Sequence, residues 1–211
     1  MTARTLASKF AERGLRGAVH ALNVRVRRLL DLPARLHIPD RLVLERRILP
    51  QVDAFAAGGR VLLVGCDWYA AHYAKLLPRC RCTSIDSDPA RARFGVAGHH
   101  HVALLQDLPR FEQDRTFEAI VCNGVYGHGL DRATDCERAF DACHALLRPG
   151  GWLVMGWNDV PHRDPVPIGA IESLRRFEPM TIPGLGVQRL LVEDSTDRHT
   201  FAFLRRALNG G

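Results

Sequence analysis

The sequence predicts an α/β protein: a three-layer αβα sandwich on a seven-stranded, mostly parallel sheet with an antiparallel last strand, preceded by an N-terminal helical extension. Three observations carry this. Continuous apolar runs over 61–64 and 117–122 suit parallel strands buried on both faces. Each run ends in a glycine-bearing turn and is followed by apolar residues three and four apart, the alternation of βαβ units. Near the C-terminus, 187–193 and 200–206 alternate around a turn at 194–197, the pattern of an antiparallel hairpin.

The 211 residues fit one compact domain with a real core, divided as a helical lid or extension over 1–57 and a ligand-binding domain over 58–211. The net charge of +6 is uneven: residues 1–50 hold 11 Lys and Arg against 4 Asp and Glu, the rest 18 against 19. A near-neutral body argues against an extended nucleic-acid track, which needs a basic stripe with stacking aromatics. The six cysteines form no CxxC pair and meet no paired-histidine spacing, so they read as reduced, mostly buried thiols. His99, His100 and His101 alternate in direction and cannot face one ion, so no metal site is expected. No apolar run approaches the ~20 residues that span a bilayer, which predicts a soluble cytoplasmic protein without a membrane partner.

Residues 1–31 place Leu6, Phe10, Leu15, Val19, Leu22, Val26 and Leu29 three to five apart among arginines. They predict an amphipathic helix packed as a lid across the carboxyl edge of the sheet. A second helical stretch over 40–57, broken near Pro50, sends Leu42, Leu44, Ile48, Val52 and Phe55 toward the core.

The chain is organised around residues 59–88. The strand over 61–64 ends in Gly65-Cys66-Asp67, a helix is expected over 68–77 until Pro78 stops it, and a second strand over 82–85 closes with Asp86. An acid about 20 positions after the first glycine, at a strand's carboxyl end, is placed to accept from both hydroxyls of a ribose. A pyrophosphate needs several glycines, whereas this loop continues with Asp67, Trp68 and Tyr69. Those residues suit a ligand with an ammonium for Asp67 and a sulfonium for an aromatic face, worth roughly 0.5–2 kcal/mol. S-adenosylmethionine is such a ligand.

After Asp86 a short helix starts at Pro89, and a strand is expected over 102–105. The strand over 117–122 leads into Asn123-Gly124-Val125-Tyr126-Gly127-His128-Gly129, a loop that stands beside the first one at the switch point of a doubly wound sheet. Asn123 is placed to accept from the ammonium, Tyr126 to face the sulfonium or the substrate, and His128 to act as general base; the three glycines let this loop move. A helix over 134–147 precedes a strand over 152–156 ending in Trp157-Asn158-Asp159, where Asn158 or Asp159 would orient an attacking amine or hydroxyl. A further short helix is expected over 168–177. No large substrate domain is inserted, which favours a small-molecule substrate.

VLLVGCDWYAAHY, SIDSDP, FEAIVCNGVYGHGLD and LLRPGGWLVMGWND resemble the successive motifs of class I S-adenosylmethionine-dependent methyltransferases, a Rossmann-like family. The resemblance covers 59–159 and departs in the first motif, where Asp67 and Tyr69 replace the usual second and third glycines. It implies cofactor contacts from Gly65, Cys66, Asp67, Trp68, Asp86, Ser87, Leu104, Asn123 and Gly124. Ala103 or Leu104 stands where the family often meets adenine with an acid. Catalytic candidates are Tyr126, His128, Asn158 and Asp159, and the implied reaction is methyl transfer to a small molecule. Two alternatives fit the same residues: cyclisation of the cofactor to azetidine-2-carboxylate and methylthioadenosine, and a non-catalytic scaffold that no longer takes cofactor.

Overall fold

The structure, a computed structural model, describes residues 17–30, 32–112, 116–163, 166–195 and 197–208. Among them eight strands form one sheet: β1 (Arg60–Val64), β2 (Arg81–Asp86), β3 (His100–Val102), β4 (Phe117–Asn123), β5 (Leu147–Asn158), β6 (Phe177–Pro179), β7 (Arg189–Leu191) and β8 (His199–Arg206). The order is β3-β2-β1-β4-β5-β8-β6, with β7 also paired to β8. The first five places are parallel, and β8 runs antiparallel beside β5. β6 meets residues 204–206 of β8 and β7 meets 200–202, so these short strands fill one seventh place end to end. The intervening segment contains Pro183, which has no N–H to give to a ladder.

Side chains alternate along β1. Leu62 and Val64 join Ile120, Cys122, Leu153 and Met155 on one face, covered by Cys136, Phe140 and Cys143 of a helix over Ala133–Leu146. Val61 and Leu63 join Ala119, Val121 and Val154 on the other face. That face is covered by a helical run following α1 (residues 17–29): α2 (Pro39–Val43), a π-helical turn (Leu44–Ile48) and α3 (Leu49–Phe55); the helix over Ala133–Leu146 is α4. Leu44, Ile48 and Val52 are fully buried there, each stabilising the fold by about 1.5–3 kcal/mol. The break expected at Pro50 is a widening of the helix. Proline lacks an N–H and its ring crowds the carbonyl four residues back, and the Leu49 N–H bonds the Leu44 carbonyl five residues back instead.

Several expected elements take other forms. Over 68–77 the N–H groups of Ala70, Tyr73, Lys75 and Leu77 each bond the carbonyl three residues back, and only Tyr73–Leu76 is helical, as a 3-10 turn. The spacing of three between Ala70, Tyr73 and Leu76 fits this tighter winding. Over 168–177 two 3-10 turns replace one helix, because Glu137 of α4 captures the N–H groups of Glu172 and Ser173 at 2.8 and 2.7 Å. β3 begins on the histidines themselves: His100 Nδ1 lies 2.9 Å from Ser84 Oγ and His101 Nε2 3.0 Å from Glu112 Oε1.

The N-terminal stripe also differs from its expectation. Leu6, Phe10 and Leu15 lie outside the described residues, while in α1 Val19, Leu22 and Leu29 are 60%, 62% and 86% exposed. This face is not packed across the carboxyl edge of the sheet. The edge is covered instead by residues 38–41, fixed upstream where the Ala34 N–H bonds the Trp68 carbonyl at 3.0 Å. Among the described residues no helix is long and apolar enough to cross a membrane.

Candidate active site

The carboxyl ends of β1, β2, β4 and β5 open into one cavity of about 670 Å³, roofed by Ile38, Pro39, Asp40 and Arg41. It lies where β1 and β4 are neighbours and their connections diverge to opposite sides, the place where open α/β sheets bind ligands.

At the β1–β2 end the chain must turn sharply. Gly65 has φ +83°, and a Cβ on it would stand 2.8 Å from Val125 Cγ2, so no other residue lets the loops after β1 and β4 approach this closely. Asp86 holds the turn: its Oδ2 accepts from the Cys66 N–H at 2.7 Å and its Oδ1 from the Asp88 N–H at 2.8 Å. Each carboxylate oxygen can accept a second hydrogen bond, which is what two ribose hydroxyls require. Ser87 and the half-exposed Leu104 continue this wall. Cys66 is pushed up to about 11 by burial and then by Asp86, so it stays a thiol and is no nucleophile. Asp67 accepts from Arg91 Nη1 at 2.5 Å and from the Trp68 N–H at 2.7 Å; its charge is already paired.

At the β4–β5 end the registers bring together residues far apart in sequence. Asn158 stands opposite His199 across β5 and β8, and Asn123 opposite Gly156 across β4 and β5. His199, only 2% exposed, has Nδ1 2.7 Å from Asn158 Oδ1 and Nε2 2.9 Å from Asn123 Oδ1. Burial, then Arg41 and His128, push its pKa down to about 3. A neutral ring has one N–H and one lone pair, so it cannot donate to both amides. Nδ1–H donates to Asn158, and turning the Asn123 amide puts its NH2, which otherwise has no partner, on Nε2. Asn158 Nδ2 then reaches His128 Nε2 at 3.5 Å and Asp197 Oδ2 at 3.3 Å. His128 is also held below its ordinary value, by burial and then Arg163, and is a neutral base at pH 7.

Gly65, Cys66, Asp67, Asp86, Ser87, Leu104, Asn123, Gly124, His128 and Asn158 all line the cavity. Trp68, Tyr126 and Asp159 do not. Trp68 packs edge-on against Tyr69, 5.3 Å between centroids, and it is Tyr69 that faces the cavity. Asp159 lies past the end of β5 and is taken by Arg189 at 2.9 Å. Tyr126 is 1% exposed in the core under α4, its hydroxyl donating to the Val166 carbonyl. The loop that carries it is packed, not free: a Cβ on Gly127, at φ +75°, would overlap the Arg163 carbonyl. Tyr126→Phe is therefore expected to cost about 1–3 kcal/mol of stability in urea unfolding by orphaning that carbonyl. It should leave cofactor affinity within twofold; a large loss of affinity would return Tyr126 to the site. Arg41, Tyr73 and His199 line the cavity without having been singled out from the sequence. The one signal was a lone polar His199 opening the apolar run of β8.

A methyltransferase domain family matches residues 62–155. Ribosomal RNA small subunit methyltransferase G of Xanthomonas campestris pv. campestris (strain 8004) is 31% identical over 116 residues, 54% of this chain and 53% of that protein. The chain thus spans about half the length of the curated relatives it matches. In fold it is similar to the N-methyltransferase NodS of Bradyrhizobium japonicum WM9, solved with S-adenosylhomocysteine, at TM-score 0.63 and 22% identity over 81% of this chain and 89% of that one. A TehB-like methyltransferase of Corynebacterium glutamicum ATCC 13032 gives TM-score 0.55 and 17% identity over 92% and 99%. The Asp86 carboxylate and the cavity beside it fit S-adenosylmethionine as the cofactor. The matched stretch begins inside β1 and ends inside β5, taking in the turn after β1 and the loop after β4 that line the cavity, and over it the chain is similar to a methyltransferase domain.

Proposed function

We propose that the protein methylates an amine or hydroxyl of a small molecule. The observation that carries this reading is that one roofed cavity holds the ribose acid Asp86 at one end and the His128–Asn158–His199 group at the other. An acceptor reaching His128 lies inside it, under residues 38–41, the inner end of the N-terminal lid.

S-adenosylmethionine supplies an electrophilic methyl on sulfonium, whose departure needs no proton. The chain's own residues do the rest. The roof excludes water, and the two walls hold the acceptor in line. As a general base, His128 exchanges the long 3.5 Å contact from Asn158 Nδ2 for the acceptor's proton, which it takes on Nε2. His199 fixes the Asn158 amide, which in turn orients His128 and the acceptor.

Ribosomal RNA is the second reading, favoured by the name of the curated relative. One experiment separates the readings: incubate the protein with S-adenosylmethionine alone, then with a metabolite extract, then with deproteinised small-subunit ribosomal RNA, and quantify products by mass spectrometry. S-adenosylhomocysteine formed with the extract only is the expected result. Formation with RNA only overturns the small-molecule reading. Catalytic methylthioadenosine without acceptor would replace methyl transfer by cyclisation, and no binding heat with the cofactor would leave a scaffold.

A further inference from the structure

α1 turns its apolar side away from the protein. At about 100° per residue, Val19, Leu22, Val26, Leu29 and Leu30 fall within an arc of roughly 100° on one side of the helix. The Leu30 N–H bonds the Val26 carbonyl at 3.0 Å, so the winding reaches Leu30. All five side chains are exposed. Contact with the body is made from the other side, where His20 and Val24 are the half-buried residues of the helix and the His20 ring stacks on His37, 4.1 Å between centroids. Among the described residues neither face of the core includes a residue of α1. An apolar arc pointed outward leaves water only by meeting something beyond the described fold.

The charges around the arc select what that is. Residues 17–30 carry Arg25, Arg27 and Arg28 and no acid. Arg25 and Arg27 fall near the two margins of the arc, where a long side chain lies along apolar surface and carries its charge to the polar side. Over 1–31 the sequence holds seven Lys and Arg against two Asp and Glu, so five of the chain's six net positive charges belong to this segment. A second copy of the helix would set arginine against arginine, with no carboxylate in 17–30 to pair them. An anionic bilayer surface meets both features, with acyl chains for the arc and lipid phosphates for the guanidinium groups. The lack of a spanning run does not bear on a helix that lies flat in an interface.

We propose that α1 is an interfacial helix that binds the protein reversibly to anionic phospholipid, its valines and leucines among the acyl chains and its arginines on the phosphates. The inference stands on α1 and is independent of the cofactor and of the acceptor.

The test is flotation of the full chain with vesicles of phosphatidylcholine alone and of phosphatidylcholine mixed with phosphatidylglycerol, at low and high salt. Wild type is expected to partition onto the mixed vesicles about tenfold or more over the neutral ones, and less so at high salt. The double variant Leu22→Gln, Leu29→Gln removes the centre of the arc while keeping good helix formers, and is expected to lose about tenfold or more on the mixed vesicles. Arg25→Gln with Arg28→Gln is expected to bind both vesicle types alike. Because these side chains are exposed, the urea midpoint should not move in either pair. Wild type that floats with neither vesicle, or variants that float as wild type does, would overturn the proposal. In that event the leucine pair identifies the true occupant. A dimer lost in that pair would mean a second copy, and a lost affinity for S-adenosylhomocysteine would mean that the arc closes over the cavity of its own chain.

Discussion

Asp86→Ala is expected to weaken S-adenosylhomocysteine binding by about 100-fold or more, the largest single loss available at this site. Two hydrogen bonds from ribose hydroxyls to a charged acceptor contribute roughly 1.5–3 kcal/mol each. The substitution also releases the N–H groups of Cys66 and Asp88, which Asp86 holds at 2.7 and 2.8 Å, so the turn after β1 loses its anchor. Asp86→Asn separates the two effects. It keeps an oxygen that can hold one loop N–H but loses the charge, and a loss of about tenfold is expected. Calorimetry measures both, with the urea midpoint checking that the variants are folded. Asp86→Ala binding within threefold of wild type would remove Asp86 from the cofactor site and with it the strongest geometric support for the pocket assignment.

The β1–β2 half of the site was legible because its signals are local. An apolar run, a glycine that tolerates φ +83° and an acid at the next strand's end all fall within one βαβ unit, and the structure puts Gly65 and Asp86 where that pattern implies. The β4–β5 half was only partly legible, because it is made by register. Asn123, Asn158 and His199 meet across sequence separations of 76 and 41 residues, and only the pairing of β5 with β8 sets them side by side. The sequence pointed to the loop after β4 but not to which side chain would turn inward. Tyr126 and His128 are two apart, yet Tyr126 is in the core and His128 in the cavity. Side-chain chemistry argued for the aromatic at a sulfonium, while packing under α4 and the Val166 carbonyl decided otherwise. Arg41 was invisible for a different reason. An arginine near a helix start is ordinary until Tyr69 and Tyr73, some 30 residues on, enclose it.

The second large effect is on stability and follows from His199. Its ordinary pKa of 6.5 applies in the unfolded chain, and the fold pushes it down to about 3, chiefly by burial and next by Arg41. Below pH 6.5 the unfolded chain therefore takes up a proton at this residue that the folded protein refuses. Stability from a neutral His199 is complete above about pH 6.5, declines as the pH falls, and levels off near pH 3, where the folded ring protonates. A shift of this size corresponds to at most about 5 kcal/mol at the acid end. The total acid slope is not diagnostic, because burial also lowers His100, His128 and His144, and the lowered carboxyls of Asp53 and Glu112 add their own loss at lower pH. The difference between wild type and His199→Gln isolates the one ring, since glutamine does not titrate. Urea unfolding across the range is expected to show the variant less stable at pH 7.5, with the gap closing by about 3 kcal/mol by pH 4.5. Parallel curves would mean that folding leaves the His199 pKa unshifted, and a gap that widens as the pH falls would mean that His199 carries its proton in the fold and donates to both asparagine oxygens. The pocket would then hold a second cation beside Arg41, His128 would lose the neutral neighbour network that makes it a base, and methyl transfer from a sulfonium at this end would have to overcome that charge.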